Sequence, residues 1–487
     1  MIELAFSLLA VPVIWALVEW RLALLLCLAT AILQDPLRKL TPDQPVLFVT
    51  FVGVVFGAAC LGAWARGNRL NLKSVTGRDR RLAICISILL LLIIVQAFNS
   101  YLRFDNLSVT LIGLATYLLP IPSIALAYQL VLRQGKFRIN QFMKWYIVCI
   151  TLALTTVFLE FSGYDWPVLG QVGEKLIIYD KVTGAVLYPS SGLFRASEIA
   201  AWHAATVACF VLLVTLLRRT TITRLLTAVI FAALVLGVGI LTGRRKVVIE
   251  FAAFVGTYLI LWVVLEKRVG KLAIIAVTGA ALAGYASLAS ELREESRLQN
   301  LEPSTFSLYV ERSRGAFRDV PSRFVELGIA PVMWAYEDFG LFGAGLGTGT
   351  QGAQHFGAEA GVGGAAEGGL GKITLELGIP GLFIMGWLAI LFIRHLWRIM
   401  QTASRHSLGM ARLSFGLFSF LVANVAAFSV ATQVYGDFFI LLTLSWTLAF
   451  LLAVPALVER EVRARQLAVF EDHPSVFRPK IVASNRT

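Results

Sequence analysis

Three adjacent cations, Arg244, Arg245 and Lys246, stand in the short turn TGRRK (242–246) between two long apolar segments. Guanidinium groups bind phosphate through paired hydrogen bonds, so this turn suits an anionic lipid headgroup or a lipid pyrophosphate at the membrane edge. The alternative is that the side chains extend to ordinary phospholipid phosphates without a specific ligand. We favour a specific anion site, because the turn is expected on the face of the membrane where cations are disfavoured.

A second charged group precedes another apolar segment, in YPSSGLFRASEIAAWHAA (188–205). Arg195 and Glu198 are three residues apart, which on a helix places both side chains on one face. Charged groups at a membrane edge usually serve a site. We therefore expect Arg195 to bind a donor anion with support from Glu198; a structural Arg195–Glu198 ion pair is the alternative. His203, deeper in the same segment, is expected to be a core histidine.

Two residues near a glycine-rich stretch (339–381) are candidates for proton transfer. Glu367, at the start of the helix that follows the glycines, could accept a proton from a hydroxyl; the alternative is an acid placed there by the helix dipole. His355 is the rival acceptor, or a loop histidine without chemistry. The glycines allow backbone N–H groups to approach an anion, unless the stretch is only a flexible connector.

Further arginines lie in the long connection 290–370, which contains no lysine. Arginine without lysine favours bidentate recognition over bulk charge, and Arg312 and Arg314 are the candidates to join the anion site. Two amphipathic helices are expected in this connection, over residues 304–318 and 320–339.

The elements that position these residues are membrane spans. The chain has 487 residues, is 57% hydrophobic and has a mean hydropathy of +0.76, which is typical of a polytopic membrane protein. In a membrane protein, the net charge of +13 indicates how the spans are oriented across the membrane and does not indicate nucleic-acid binding.

No Asp-rich metal motif is visible and the cysteines lie in apolar segments without metal-like spacing, so we expect no metal, no disulfide framework and no cofactor. The five cysteines are Cys27, Cys60, Cys85, Cys149 and Cys209.

Apolar runs predict 12 or 13 spans of about 20 residues each in an all-α fold. Residues 2–33, split at Glu19-Trp20-Arg21, are expected to be a retained membrane segment and not a cleaved signal peptide, either as a shallow helical pair or as one bent helix. The remaining runs are 46–64, 82–98, 107–131, 143–160, 192–217, 224–242, 247–265, 270–289, 371–393, 411–432 and 438–457.

Basic connections between the spans set the orientation. By the positive-inside rule these connections face the cytoplasm, together with the tail 459–487, and the connections at 34–45, 99–106, 161–191 and 290–370 face outside. The predicted units are a membrane bundle (1–289), a large external loop (290–370), C-terminal spans (371–458) and the tail. The basic connections are 66–81, 132–144, 218–224, 266–271 and 394–412.

The pattern over residues 185–395 resembles the O-antigen ligase and O-antigen polymerase superfamily. The resemblance is carried by the Arg/Glu helix start, the TGRR turn, the arginine-bearing loop, GLFGAGLGT and LGKITLELGIPGLF. QDPLRKLTP (34–42) is similar to the exopolysaccharide-associated relatives of that group. Members are metal-independent, multi-spanning glycosyltransferases of GT-C-like architecture, which use undecaprenyl-pyrophosphate-linked glycans on the periplasmic side of the inner membrane.

The resemblance implies roles for individual residues. Arg195 falls in the segment near the donor phosphates, Arg244 and Arg245 fall on the turn that grips pyrophosphate, and Arg312 or Arg314 matches the loop arginine. Where ligases have a histidine upstream of the ELG motif, this chain has Glu367. Either the glutamate replaces the histidine as the base, or His355 serves, or the activity is lost. We favour the first, because carboxylates do this work in other glycosyl transfers.

The function expected from the resemblance is polymerisation of lipid-linked oligosaccharide repeat units into an exopolysaccharide or O-antigen. The expected partners are the lipid-linked donor, an acceptor glycan, membrane lipids and proteins of polysaccharide export or chain-length control. A ligase acting on lipid A-core or another acceptor would differ only in its acceptor. A transporter or flippase for lipid-linked glycans, or a non-catalytic scaffold, is the alternative of another class.

Overall fold

The computed structural model describes residues 2–68, 79–173, 177–179, 186–217, 221–266, 305–350 and 367–472. Within these ranges, ten helices are long and apolar enough to cross a membrane, or eleven if the bent pair Phe438–Leu452 and Val454–Ala464 forms one span. The prediction of an all-α polytopic membrane protein is confirmed. The predicted run 270–289 lies outside the described residues, so the expected 12 or 13 spans stay a prediction.

The chain is almost entirely helical, with one short antiparallel pair of strands, β1 (Ile178–Tyr179) and β2 (Val186–Leu187). The first helices are α1 (Ile2–Val18), α2 (Ala23–Leu40), α3 (Phe51–Ala65), α4 (Arg80–Phe104), α5 (Leu107–Leu118), α6 (Pro120–Gln134), α7 (Lys136–Phe161) and α8 (Ser197–Leu216). They are followed by α9 (Ile222–Ile240), α10 (Lys246–Glu266), α11 (Thr305–Arg323), α12 (Ala330–Phe339), α13 (Gly369–His406), α14 (Leu408–Val430), α15 (Phe438–Leu452) and α16 (Val454–Asp472).

The N-terminal region breaks where the sequence predicts. A short 3-10 turn, Trp20–Leu22, separates α1 from α2, so the region is a pair of helices. The expected external loop at 34–45 is wrong in its first part, because α2 continues to Leu40. Gln34, Asp35 and Lys39 are buried in its last two turns. Their polar character suggested a loop, but tertiary contacts supply partners that let the helix continue.

Helix α8 lies at the centre of the bundle. It packs against α7, α9, α10 and α14, and most of it is buried. Trp202 donates from its indole nitrogen to the side-chain oxygen of Asn424 on α14, at 2.7 Å. His203 is buried and lies 2.6 Å from the Tyr146 hydroxyl, as expected of a core histidine. Apolar side chains on the outer faces of α4 and α9 remain exposed, as lipid contact requires.

The described parts of the basic connections 66–81, 132–144 and 394–412 lie at one end of the bundle, here called the lower end. Arg66 donates to Leu17 O, Arg133 donates to Asn68, Arg412 donates to Leu216 O, and Arg398 lies 3.9 Å from Asp79. At the opposite, upper end, Lys39 donates to Gly192 O, and the turn 242–246 follows α9. The described connections are therefore divided between two ends, as predicted, and the basic connection 266–271 lies outside the described residues after Glu266. The assignment of the lower end to the cytoplasm stays a prediction from the charge rule.

The two amphipathic helices expected at 304–318 and 320–339 correspond to α11 and α12. They are joined by a π-helical segment, Phe324–Ile329. Both lie at the upper end, where Tyr309 of α11 donates to Tyr188 O at 2.6 Å. The helices therefore cover the end of the bundle that carries the charged groups singled out by the sequence.

The described part of the glycine-rich stretch, residues 339–350, is packed between α4, α5 and α13. The Ser100 hydroxyl donates to Leu346 O at 2.7 Å. A Cβ on Gly347 would lie 2.1 Å from Val109 O, so the backbone approaches α5 as closely as only glycine permits. This part is neither a free connector nor an open anion cradle. Residues 351–366, including His355, lie outside the described part of the chain.

The same stretch bends α13. Gly378, in the ELGIPG motif, has a φ of +72° and interrupts the helix. A Cβ there would lie 2.5 Å from Leu341 O, and the next residue, Ile379, donates its N–H to that oxygen at 2.9 Å. The kink therefore anchors the glycine-rich segment to the upper part of α13.

Candidate functional site

The turn between α9 and α10 carries the three cations predicted to bind an anion. Gly243 turns the chain with a φ of +68°, which glycine adopts without strain. Arg244 then extends over the start of α8: its Nε donates to the Ser197 hydroxyl at 3.1 Å, and its guanidinium forms an ion pair with Glu198. Glu198 lies in the first turn of α8, where the helix dipole stabilises a carboxylate. Glu198 is therefore the partner of Arg244 and not, as predicted, of Arg195.

Two further elements contribute charge to this turn. Arg312 of α11 donates from Nε to Gly243 O at 3.1 Å. Glu367, just before α13, interacts electrostatically with Arg244 and Lys246. We call the set Arg244, Arg245, Lys246, Arg312, Glu198 and Glu367 the basic-turn cluster. Arg314 belongs to α11, but its side chain lies outside the described part of the structure.

Burial opposes the charge of Arg244. Desolvation lowers the pKa of its guanidinium below the ordinary value, and the opposing effects of Glu198 and Glu367 do not restore it. Lys246 also interacts with the buried Glu250. An anion placed beside Arg244 would therefore favour its charged form further.

Arg195 has a different environment from the one predicted. Its Nη2 lies 2.6 Å from an oxygen of Asp437, and its Nη1 lies 3.4 Å from Asp35, whose other oxygen accepts the Arg195 backbone N–H at 3.0 Å. Burial lowers the pKa of Arg195, but Asp437 and Asp35 outweigh that effect and raise the pKa above its ordinary value. Arg195 already has two carboxylate partners, so a phosphate would have to displace one of them.

The alternative interpretation, a structural Arg195–Glu198 ion pair, is not what the structure contains. Helix α8 begins at Ser197, and Ala196 is extended, with φ −149° and ψ 147°. The three-residue spacing therefore crosses a helix boundary and does not place the two side chains on one helical face. Glu198 pairs with Arg244 instead, and Arg195 turns toward the ends of α2 and α15.

Sequence reasoning missed the partners of Arg195. Asp35 lies on α2 and Asp437 caps α15, where its carboxylate accepts the N–H of Ile440 at 3.0 Å. Lys39, four residues after Asp35, donates to the carbonyls of Val168, Gly192 and Phe194 at 2.7 to 3.1 Å. We call Asp35, Lys39, Arg195 and Asp437 the arginine clasp. The Asp35–Lys39 helical spacing was the signal available in the sequence.

Glu367 is held firmly although its side chain is exposed. Its carbonyl oxygen accepts the backbone N–H and the hydroxyl of Thr432 at 2.8 and 3.0 Å. A Cβ on the next residue, Gly368, would lie 1.7 Å from Leu327 O, so the chain is confined between α14 and the π-helical segment. The predicted position at the start of a helix is confirmed to within two residues, because α13 begins at Gly369.

Buried polar groups also occur inside the bundle, apart from the predicted site. Glu376 accepts hydrogen bonds from the Tyr117 hydroxyl at 2.8 Å and from Gly349 N–H at 3.0 Å. Lys372, one turn earlier on α13, is buried and borders an apolar cavity of about 340 Å³. Glu250, one turn below Lys246 on α10, is also buried. A charged pair four residues apart within an apolar span was the sequence signal for Lys372 and Glu376.

Among the described residues, no group of three or more His, Cys, Asp or Glu side chains could hold a metal ion. The chain matches no known protein-family model and no curated protein. What the fold and the site define is a class: a polytopic α-helical membrane protein with a basic-turn cluster and an arginine clasp at the same end of its bundle.

Proposed function

We propose that this protein is a bacterial inner-membrane glycosyltransferase that polymerises undecaprenyl-pyrophosphate-linked oligosaccharide repeat units at the periplasmic face. The observation that carries the proposal is the basic-turn cluster, where four cations are brought together with an exposed carboxylate, Glu367, at the end of the membrane bundle. A lipid pyrophosphate offers the matching features: a dense negative charge at the membrane surface and an apolar tail within the bilayer.

The proposed reaction is a single displacement. Glu367 accepts the proton of an acceptor hydroxyl, whose oxygen attacks the anomeric carbon of the donor sugar. The bond from that carbon to the pyrophosphate oxygen breaks, and its electron pair leaves with the lipid pyrophosphate. Arg244, Arg245, Lys246 and Arg312 stabilise the departing charge, and the anomeric configuration inverts. His355 is the alternative proton acceptor.

Arg195 is not part of this proposed chemistry. Its charge is balanced within the arginine clasp, and its role is to hold the ends of α2 and α15 against the segment that leads into α8. This departs from the role that the family resemblance implies for it. Donor binding is assigned to the basic-turn cluster alone.

The proposal favours an enzyme over a transporter because the basic-turn cluster lies at one end of the bundle. Transport sites typically lie near the bilayer midplane, between broken helices. A polymerase and a ligase share the same donor chemistry, and we favour the polymerase because QDPLRKLTP is similar to exopolysaccharide-associated proteins and the ligase histidine is replaced by Glu367.

The direct test is a reconstitution. Purified protein in liposomes is supplied with lipid-linked repeat units in the presence of EDTA, and products are separated by size. We expect lipid-linked oligomers of two or more repeat units from the wild-type protein. Movement of the substrate across the bilayer without formation of oligomers would instead identify a transporter. If neither oligomers nor movement is observed, the protein is a non-catalytic scaffold.

A further inference from the structure

A cleft of about 490 Å³ opens at the upper end, between the segment after α7, the strand β2 and α11. Its volume is in the range of small-molecule sites in proteins. Three glycines, Gly163, Gly170 and Gly173, form part of the lining. At these three positions no side chain projects into the cleft. The lining also includes Glu160, Tyr164, Asp165, Tyr188, Pro189 and Tyr309.

The lining combines aromatic faces with hydroxyl, amide and carboxylate groups. Tyr164 and Tyr188 are 55% and 62% exposed, and Trp166 contacts Tyr164 edge to face with ring centroids 6.3 Å apart. Sugar rings present C–H groups on one face, which pack on the negative face of an aromatic ring, and hydroxyls at the edge, which bond to polar groups such as Asp165. A saccharide could therefore contact both the aromatic rings and the polar groups of this lining.

The charges of the cleft distinguish it from the basic-turn cluster. Among the described residues that line it, the charged ones are Glu160 and Asp165. Glu160 already accepts the N–H groups of Ser191 and Gly192 at 2.8 and 2.6 Å, which fixes one wall. These two carboxylates disfavour a phosphate group beside them, whereas they can accept hydrogen bonds from the hydroxyls of a saccharide.

The cleft and the basic turn share a wall. A Cβ on Gly243 would lie 3.7 Å from the Tyr309 ring and 3.9 Å from Pro189, both of which line the cleft. Ser190 N–H donates to Leu241 O at 3.4 Å, just before the turn. The cleft therefore adjoins Leu241 and Gly243, the residues that lead into the cations of the basic turn.

We propose that this cleft binds a short oligosaccharide and, resting on the proposed function, that this oligosaccharide is the acceptor of glycosyl transfer. The cleft presents the saccharide and the basic turn holds the pyrophosphate of the donor. The two proposed sites thus adjoin each other at the shared wall.

Binding can be measured without any reaction. The probe is the lipid-free repeat unit, released by mild acid from the lipid-linked oligosaccharide of the native host and titrated calorimetrically into the protein in nanodiscs. We expect the wild-type protein to bind it, and Tyr188→Ala and Asp165→Asn each to raise the Kd about tenfold. Inorganic pyrophosphate is the second probe. Its Kd should rise in Arg244→Ala and stay unchanged in Tyr188→Ala.

Tyr101→Ala is the matched control, because Tyr101 is an exposed tyrosine near the upper end of α4 that does not line the cleft. Its saccharide affinity should equal that of the wild type. Absence of saccharide binding, equal affinity in the cleft variants, or an equal loss in Tyr101→Ala from weakened interfacial anchoring would each overturn the proposal. Saccharide binding that follows the cleft residues, in a protein that yields no oligomers on reconstitution, would support the cleft and refute the transfer reaction.

Discussion

The arginine clasp and the basic-turn cluster use the same residue type, at the same end of the bundle, in opposite ways. In the clasp, two buried carboxylates outweigh the burial of Arg195 and raise its pKa; in the turn, burial outweighs two carboxylates and lowers the pKa of Arg244. Their exposure is similar, with side chains 15% and 21% accessible. The balance of neighbouring charge, and not exposure, therefore separates an arginine that holds the fold from one suited to bind a ligand.

The first way to test this contrast is Arg195→Ala. The substitution leaves Asp35 and Asp437 buried without their cation, and breaking a buried ion pair in this way costs about 3–5 kcal/mol. We expect a large fall in the thermal unfolding temperature of the purified protein and loss of folded protein in the membrane. Arg21→Ala is the control, because its ion pair with Glu19 is exposed and should contribute little. Equal stability of the two variants would contradict the structural role of Arg195.

Glu367→Gln tests the proposed base. Polymer formation should fall about 10²- to 10⁴-fold, the usual contribution of a general base, while the unfolding temperature stays unchanged because the side chain is exposed. Lipid-linked repeat units should accumulate, as seen by gel electrophoresis of membrane extracts. Glu326→Gln, another exposed glutamate at the upper end, should behave as wild type. Loss of polymer in His355→Ala but not in Glu367→Gln would transfer the role to the histidine.

Arg244→Ala tests the proposed ligand-binding role of the basic-turn cluster. Polymer formation should fall about 10²- to 10³-fold, as for removal of one transition-state donor. Stability should fall less than in Arg195→Ala, by about 1–3 kcal/mol, because the variant loses one carboxylate partner and the Ser197 hydrogen bond but also removes a cation whose charge burial opposes. Arg244→Lys should recover part of the activity, since lysine keeps the charge but not the bidentate geometry. If Arg244→Ala lost as much stability as Arg195→Ala, the two arginines could not be distinguished as ligand-binding and structural.

Lys39→Met tests how much the second cation of the arginine clasp contributes to stability. The three carbonyls that accept its ammonium group would lose a charged donor, at a cost of about 1–3 kcal/mol. We expect a smaller fall in unfolding temperature than for Arg195→Ala, with polymer formation retained by the protein that folds. An unchanged unfolding temperature would mean that water replaces the ammonium without cost.

The sequence predicted which segments of the candidate site carry charged residues, but not which ion pairs those residues form. The TGRRK turn was recognised because three cations interrupt two apolar runs, and Glu367 because a carboxylate ends a glycine-rich stretch. The pairing of Arg195 was not predicted, because Asp35 and Asp437 are separated from it by 160 and 242 residues. The sequence likewise predicts a loop at 34–45, because the partners that let α2 continue to Leu40 are equally distant along the chain.

Hydropathy and the distribution of basic residues were enough to establish a polytopic helical membrane protein, the break at Glu19-Trp20-Arg21 and the division of connections between two ends. These properties depend on the transfer of each segment between water and lipid, which composition alone sets. Tertiary structure decided which carboxylates Arg195 and Arg244 contact, and that the glycines of 340–350 are packed against helices. Electrostatic balance and close backbone contact depend on distances between segments remote in the chain, and no local pattern encodes those distances.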